Sequence, residues 1–351
     1  MNKQLTAGRI ETSSRILYPL VALGLILLFN LIFTDGFFQI EFRDGRFFGS
    51  LIDILNRGAP TMLLAIGMTL VFASGGVDLS VGAVMAISGA LAAQIIRPGY
   101  VHGILEYPEE VALIVVVGVP LLVTIVAGLW NGVLVSVVGV QPIIATLILM
   151  TAGRGVAQLI TRGQIIVFEH QSFQYIGSGF FLGFPFPFVI VVGMCLLTYL
   201  LTRRTSIGTF IESLGANPVA SRFMGINVRA IKASVYAYSG FCAGIAGLIS
   251  CADIKAADAN NTGLFLELDA IAAVIIGGTA NGGRFSLAGS IIGALIIQSL
   301  STTILTRGVP PQVVLVYKAA IIILVTLIQS HKLHAYMGRL VTAVRRSENE
   351  A

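Results

Sequence analysis

Long apolar runs alternate along the chain with short polar connections. Because the hydrocarbon core of a bilayer is about 30 Å thick, a helix that crosses it needs roughly 20 apolar residues. About ten runs approach that length. They cover approximately residues 16–34, 53–73, 77–96, 111–138, 142–161, 184–202, 230–252, 269–281, 286–306 and 313–330. The pattern predicts an all-α, polytopic transmembrane bundle.

The runs group into one membrane domain. We expect residues 1–15 to form an N-terminal segment, 16–330 a single transmembrane domain and 331–351 a basic tail. An even number of spans places both termini on the same side of the membrane. Most Lys and Arg residues outside the spans lie on that side, so the positive-inside rule predicts that both termini are cytoplasmic. The longest connection on this side is residues 203–229.

Composition supports the membrane interpretation. Hydrophobic residues make up 56% of the 351 positions and charged residues 11%, whereas a soluble domain carries about a quarter charged residues. A soluble globular protein is therefore excluded. The net charge of +5 comes from basic residues that flank the spans, so it indicates anchoring at lipid headgroups and no nucleic-acid partner.

Two short, glycine-rich joints separate apolar runs with almost no loop between them. The first joint is Ser74–Gly82 and the second joint is Gly277–Ser286. Paired interruptions in the two halves of a transporter mark broken or re-entrant helices near the substrate path. Glycines also make tight turns at the membrane edge. The sequence leaves both interpretations open.

The connection 203–229 has the signals of two short helices. The apolar positions of the first follow helical spacing, and they are Ile207, Phe210, Ile211 and Leu214. We expect Gly215 to end this helix. Asn217 is suited to the N-cap of the second, Pro218 to its first position and Gly225 to its end. Such a segment either lies on lipid headgroups or docks a soluble partner.

Four motifs, in this order along the chain, resemble the permeases of the monosaccharide branch of ABC importers, the ribose and galactofuranose type. They are Gly75–Gly82, Gly128–Gly132, Pro142–Leu147 and Gly277–Gly289. Segments 47–57 and 256–261 are similar to the galactofuranose type within that family. Six residues resemble the family's cytoplasmic coupling segment, which meets the ATP-binding subunit. They are Glu212, Gly215, Asn217, Ala220, Gly225 and Ile226.

The resemblance implies a permease with broken and re-entrant helices in the bacterial inner membrane, which forms the pathway for a small monosaccharide such as galactofuranose. It also implies an ABC ATP-binding subunit, a periplasmic sugar-binding protein and a second permease, in a heterodimer or a homodimer. No Gly-x-x-x-x-Gly-Lys-Ser/Thr phosphate loop occurs in the sequence. ATP and Mg²⁺ are therefore expected on the partner, with no cofactor on this chain.

A path for a neutral sugar needs amides, hydroxyls and aromatic faces inside the spans. The candidates are Asp78, Asn131, Thr146, Thr151, Arg154 and Gln158. Asp78 is also suited to capping the third span, and Asn131 to a hydrogen bond between helices. Arg154 either faces the bundle or pathway, or snorkels to the membrane edge.

A polar loop on the other side of the membrane contains Asp258, Asn260 and Asn261. These residues are candidates for contact with the binding protein or the arriving sugar, and a merely solvated loop is the alternative.

The main rival function is an ion-coupled secondary sugar transporter. Such a protein needs acids inside the membrane, and Asp78 is the only acid that the sequence places near a span interior. A membrane enzyme is a weaker rival, because no catalytic constellation is present. The three cysteines and four histidines show no metal-ligand spacing, so we predict neither a catalytic nor a metal site.

Overall fold

The structure is a computed structural model that describes residues 2–43, 45–97, 111–310, 313–320 and 323. The chain divides into two compact units, residues 1–299 and 300–351. The predicted tail 331–351 and most of the tenth predicted span, 313–330, lie outside the described residues. The single domain over residues 16–330 stays a prediction.

Helices dominate the described residues. They are α1 Asn2–Phe33, α2 Ser50–Ala73, α3 Val81–Ile96, α4 Leu113–Val133, α5 Pro142–Thr161, α6 Gln171–Ser178, α7 Phe186–Arg203, α8 Ile207–Ala216, α9 Pro218–Phe223, α10 Val228–Ile254, α11 Leu266–Ile276 and α12 Leu287–Thr306. A π-helical turn, Leu134–Val138, continues α4. Residues 313–320 are also helical, and Leu300, Ile304 and Val314 form an apolar cluster in the second unit.

Short antiparallel strand pairs occur in the connections of the first unit. Strands β1 Glu41–Arg43 and β2 Arg46–Phe48 form one hairpin, and β4 Phe180–Phe181 and β5 Phe184–Pro185 form another. Strand β3 Ile166–Val167 pairs with β6 Ala256–Ala257, which follows α10.

Six helices among the described residues are long and apolar enough to cross a membrane: α2, α4 with its π-helical turn, α5, α7, α10 and α12. The apolar part of α1 and the whole of α3 are shorter. The prediction of a helical, polytopic membrane protein is therefore confirmed, whereas the count of about ten spans and the side of the termini stay predictions. The first helix begins at Asn2 instead of residue 16.

Helix α10 is the centre of the first unit, because α2, α3 and α4 all pack against it. Small residues allow the close approach, as is usual between membrane helices. A Cβ added at Gly240 would overlap the Thr124 carbonyl oxygen of α4, and one at Gly247 would overlap that of Met85 in α3. Helices α2 and α10 are consequently mostly buried, whereas α4, α5 and α7 are mostly exposed.

Two of the predicted spans are shorter than expected, because residues at their ends belong to the joints. The span predicted from residue 77 begins as α3 at Val81, and the span predicted to residue 281 ends as α11 at Ile276. At the first joint, the Asp78 side chain accepts the N–H of Ser80 at 3.0 Å. This local bond competes with helical backbone geometry, so the helix starts later.

The short helices α3 and α11 begin beside each other inside the first unit. The chain that follows α10 folds back until Gly263 touches Gly82, where a Cβ on either glycine would overlap the carbonyl oxygen of the other. The second joint, which follows α11, bonds to the end of α2: Gly282 N–H donates to the Phe72 carbonyl at 2.8 Å and Gly283 N–H to the Ala73 carbonyl at 2.9 Å.

Candidate functional site

Asp78 belongs to a set of four buried polar residues that are linked by hydrogen bonds. We call this set the joint cluster: Asp78, Ser80, Asn131 and Ser239. Asp78 Oδ1 accepts the Ser80 hydroxyl at 2.6 Å in addition to the Ser80 N–H. Its Oδ2 accepts the Ser239 hydroxyl of α10 at 2.8 Å. The interpretation of Asp78 as the cap of the third span is wrong, because Ser80 is the N-cap of α3. Asp78 instead ties the first joint to α10.

Asn131 joins α4 to the same cluster. Its Nδ2 donates to Ser80 Oγ at 2.9 Å, and its side chain is fully buried. Its Oδ1 has no hydrogen-bond partner in the part of the chain that the structure describes. The geometry is that of a hydrogen bond between helices, one of the two roles that the sequence left open.

Thr146 of α5 lies next to the cluster. Its hydroxyl donates within its own helix to the Pro142 carbonyl at 2.9 Å and lies 3.4 Å from the Val77 carbonyl. The Tyr236 hydroxyl approaches that same carbonyl at 3.4 Å. Both side chains are fully buried, as is Asp78. The three candidates Asp78, Asn131 and Thr146 thus lie inside packed protein in this structure, and their role in the pathway stays a prediction.

The polar stripe on α5 has two different surroundings. Thr151 is exposed, and among the described residues its hydroxyl bonds only to carbonyls of its own helix. Arg154 donates to the Ala259 carbonyl at 3.1 Å and to the Thr262 carbonyl at 2.6 Å. Arg154 therefore holds the chain between α10 and α11, and its position relative to the membrane edge stays a prediction.

Gln158 and Asp258 stabilise the same chain segment, which we call the α10–α11 loop (residues 255–265). Gln158 Nε2 donates to Asn260 Oδ1 at 2.8 Å. Asp258 accepts the N–H groups of Asn260 and Asn261 at 3.0 and 3.2 Å, and the Asn261 amide at 2.7 Å. Partial burial raises the pKa of Asp258, but these hydrogen bonds outweigh it and hold the pKa below its usual range.

A second acid lies inside the first unit, contrary to the sequence interpretation. Glu267 precedes the predicted span 269–281, but it lies in the first turn of α11 and is only 4% exposed. Its carboxylate is so close to Gly82 that a Cβ on Gly82 would lie 2.5 Å from Oε2. An acid at the start of a helix is favoured by the helix dipole. The signal was present in the sequence, as an acid that opens a short apolar run.

The two-helix prediction for residues 203–229 is confirmed by α8 and α9. Asn217 Oδ1 accepts the N–H groups of Val219 and Ala220, both at 3.0 Å, as an N-cap does. Gly225 follows α9 with a φ of 83°. The prediction that Gly215 ends α8 is wrong, because the helix continues to Ala216. The predicted coupling segment is 203–229, and below we use the name coupling segment for its part 207–226, which contains α8 and α9.

Gly215 is required by close packing. A Cβ at Gly215 would overlap the Ala73 carbonyl oxygen at the end of α2 and the Gly283 amide nitrogen of the second joint. Ile211 and Leu214 of α8 are also fully buried. Helix α8 therefore packs directly against the end of α2 and the second joint.

Glu212 contacts an arginine of the same chain. Its carboxylate lies 3.6 Å from the Arg203 guanidinium at the end of α7. By contrast, α9 and the residue that follows it expose apolar side chains, with Val219 65%, Phe223 87% and Met224 68% exposed. The coupling segment thus has one side bound to the bundle and one apolar side uncovered.

Comparison with known proteins gives the family. Residues 50–326, well over half of the chain, match the model described as branched-chain amino acid transport system / permease component. This chain belongs to that permease family. The permease is also 52% identical to the galactofuranose transporter permease protein of Escherichia coli over 89% of each chain. No solved structure gives a significant match.

Two further relatives have the same type of name. The permease is 40% identical to a fructose import permease protein of Bifidobacterium longum, over 92% of this chain and 89% of the relative. It is 35% identical to the ribose import permease protein of E. coli, over 89% of this chain and 93% of the relative. The chain is accordingly a transport component, not an enzyme.

Proposed function

We propose that this permease is the membrane-spanning subunit of an ATP-driven importer for a small monosaccharide, galactofuranose or a similar sugar. The observation that carries the proposal is the 52% identity to the galactofuranose transporter permease along 89% of both chains. Relatives with 40% and 35% identity are named for fructose and ribose import, so the substrate class is a sugar in each of these cases.

The proposal places the permease in the bacterial inner membrane with about ten spans and both termini in the cytoplasm. It is supported by the six long apolar helices; the remaining passes in this proposal would include α1, α3, α11 and the helical residues 313–320. In this topology the coupling segment is cytoplasmic, and the α10–α11 loop enters the bundle from the opposite side.

The sugar pathway in this proposal runs along the exposed side of α5. The candidates Asp78, Asn131 and Thr146 are buried, whereas Thr151 is exposed in the middle of a predicted span. Because polar side chains in membrane spans usually lie at contacts between helices, we infer that a second permease covers this exposed side. The partner is a different permease in a heterodimer, with a homodimer as the alternative.

Energy comes from an ATP-binding partner that holds ATP and Mg²⁺ and docks on the coupling segment. The exposed apolar side of α9 supports this docking, because Phe223 and Met224 would be removed from water by a soluble subunit. A periplasmic binding protein would deliver the sugar to the opposite side, where Asp258, Asn260 and Asn261 lie. The family supports both partners, since its members are permease components of transport systems.

The test is reconstitution in lipid vesicles. The permease is co-expressed with the ATP-binding subunit and any second permease of its operon, and uptake of radiolabelled galactofuranose, ribose and fructose is measured with the binding protein and ATP. ATP-dependent uptake of one of these sugars supports the proposal. Uptake by the purified permease alone under a proton gradient would instead indicate an ion-coupled transporter. Glu267, a second buried acid in addition to Asp78, makes that control necessary.

A further inference from the structure

Arg203, the last residue of α7, contacts both the coupling segment and the second joint. One guanidinium nitrogen lies 3.6 Å from Glu212 of α8, and the other donates to the Phe285 carbonyl at 3.4 Å. The guanidinium also lies over the Phe285 ring, 5.2 Å from its centroid. Phe285 itself is buried. One side chain thus connects three elements.

The backbones of α8, the end of α2 and the second joint are also in direct contact, in addition to the contacts of Arg203. Gly215 of α8 lies against the Ala73 carbonyl and the Gly283 amide, with no room for a Cβ. Gly283 in turn donates to the Ala73 carbonyl at 2.9 Å. Helix α8, the end of α2 and the second joint are therefore in contact along their backbones.

The end of α2 leads directly into the joint cluster. Ser74 follows Ala73, and four residues later Asp78 accepts the hydroxyls of Ser80 and Ser239. Asn131 of α4 is bonded to Ser80 at 2.9 Å. A displacement of α8 that carries the end of α2 with it consequently reaches α3, α4 and α10 through a short run of chain.

We propose that Arg203 is a positioning residue of the transport cycle: it clamps α8 to the second joint, so that movement of the coupling segment is passed to α2 and the joint cluster. This inference rests on the proposed function, because it assumes an ATP-binding partner that moves the segment. Glu212 is then part of the internal clamp, and α9 supplies the outer contact.

The clamp fixes the position of α8 relative to the second joint and adds little to the stability of the fold. The side chains of Arg203 and Glu212 are 50% and 26% exposed, and exposed ion pairs stabilise proteins only slightly. Loss of the clamp should therefore leave the fold intact and separate the motion of α8 from that of the joint. The planar guanidinium of Arg203 stacks on the Phe285 ring and at the same time pairs with the Glu212 carboxylate. A lysine ammonium is less suited to making both contacts.

The experiment uses the full complex in vesicles and compares Arg203→Ala, Arg203→Lys and Glu212→Gln with the unaltered chain. Arg204→Ala is the matched control, because it removes an exposed arginine one residue away. Three quantities are measured: recovery of the assembled complex, basal ATP hydrolysis, and the increase in hydrolysis and sugar uptake on addition of sugar-loaded binding protein.

We expect Arg203→Ala to assemble and to keep basal hydrolysis, while stimulation and uptake fall roughly five- to hundredfold, the usual range for coupling between two sites. Arg203→Lys should recover part of the stimulation, and Arg204→Ala should match the unaltered chain. If Arg203→Ala fails to assemble, Arg203→Lys gives the same test, because it keeps the charge and loses only the planar stack on Phe285. Normal stimulation and uptake in the assembled variants would overturn the clamp. Absence of ATP-dependent uptake by the unaltered complex would overturn the proposed function itself.

Discussion

Gly263 and Gly82 lie backbone against backbone, and a Cβ added to either would overlap the carbonyl oxygen of the other. Gly263 also has a φ of 73°, which disfavours any side chain. We predict that Gly263→Ala destabilises the permease by about 1–3 kcal/mol, as overpacking does. The measurement is the apparent melting temperature in detergent. Gly193→Ala is the control, since a Cβ there meets open space. Equal melting of both variants would contradict the backbone contact.

Arg154 holds the α10–α11 loop through the carbonyls of Ala259 and Thr262. We predict that Arg154→Ala loosens this loop, because two charge-assisted hydrogen bonds are lost at once. The measurement is the labelling rate of Ala259→Cys, a position that is buried in the closed loop, by a membrane-impermeant thiol reagent, in a chain whose native cysteines are replaced. A rise of about tenfold corresponds to about 1.4 kcal/mol of lost closure energy. An unchanged rate would show that the loop is held by other contacts.

Asp78 accepts hydrogen bonds from Ser80 and Ser239 inside the bundle. We predict that Asp78→Ala is strongly destabilising, because each buried donor left without a partner costs about 1–3 kcal/mol. Asp78→Asn should be milder, since its amide oxygen still accepts and the Ser239 hydroxyl is able to accept in turn. Yield of folded protein and apparent melting temperature measure both variants. Equal losses in the two would mean that the charge, and not the acceptor geometry, is what the cluster needs.

Phe223 is 87% exposed on α9. We predict that Phe223→Ser leaves membrane insertion intact and weakens binding of the ATP-binding subunit by about 2 kcal/mol or more, as loss of a central aromatic contact does. The measurement is co-purification of that subunit at graded concentration. Leu182→Ser removes a similarly exposed apolar side chain, 82% exposed, from the hairpin of β4 and β5. Equal effects from both would contradict docking at α9.

Asp258 should make the stability of the α10–α11 loop depend on pH, with the loop less stable in acid. Its pKa is lower in the folded chain than in the unfolded one, so its contribution to stability is complete above the ordinary aspartate pKa and is lost as pH falls through the folded value. Hydrogen exchange at the Asn260 and Asn261 amides should be constant from neutral pH to about pH 5 and rise only in stronger acid, after correction for intrinsic rates. Asp258→Asn should abolish this dependence. A rise already near pH 6 would point to a different group.

The sequence determined those features that depend on neighbouring residues. Apolar runs fixed the positions of α2, α4, α5, α7, α10 and α12 to within a few residues. Local caps such as Asn217 fixed α8 and α9, because an N-cap bonds residues only two and three positions away. The motifs were sufficient to give the permease family.

The tertiary structure decided burial and pairing, because these depend on residues far apart in the chain. Asn131 meets Ser80 across 51 positions and Ser239 meets Asp78 across 161, so neither partner is visible in a local window. Glu267 precedes the predicted span that begins at residue 269, and only the folded chain places it against Gly82. The sequence predicts Gly215 as a helix end. The structure shows instead that a glycine is required there because α8 approaches the backbone at Ala73 closely. Hydrophobic periodicity determines which segments are helices, and only their packing determines which polar groups they enclose.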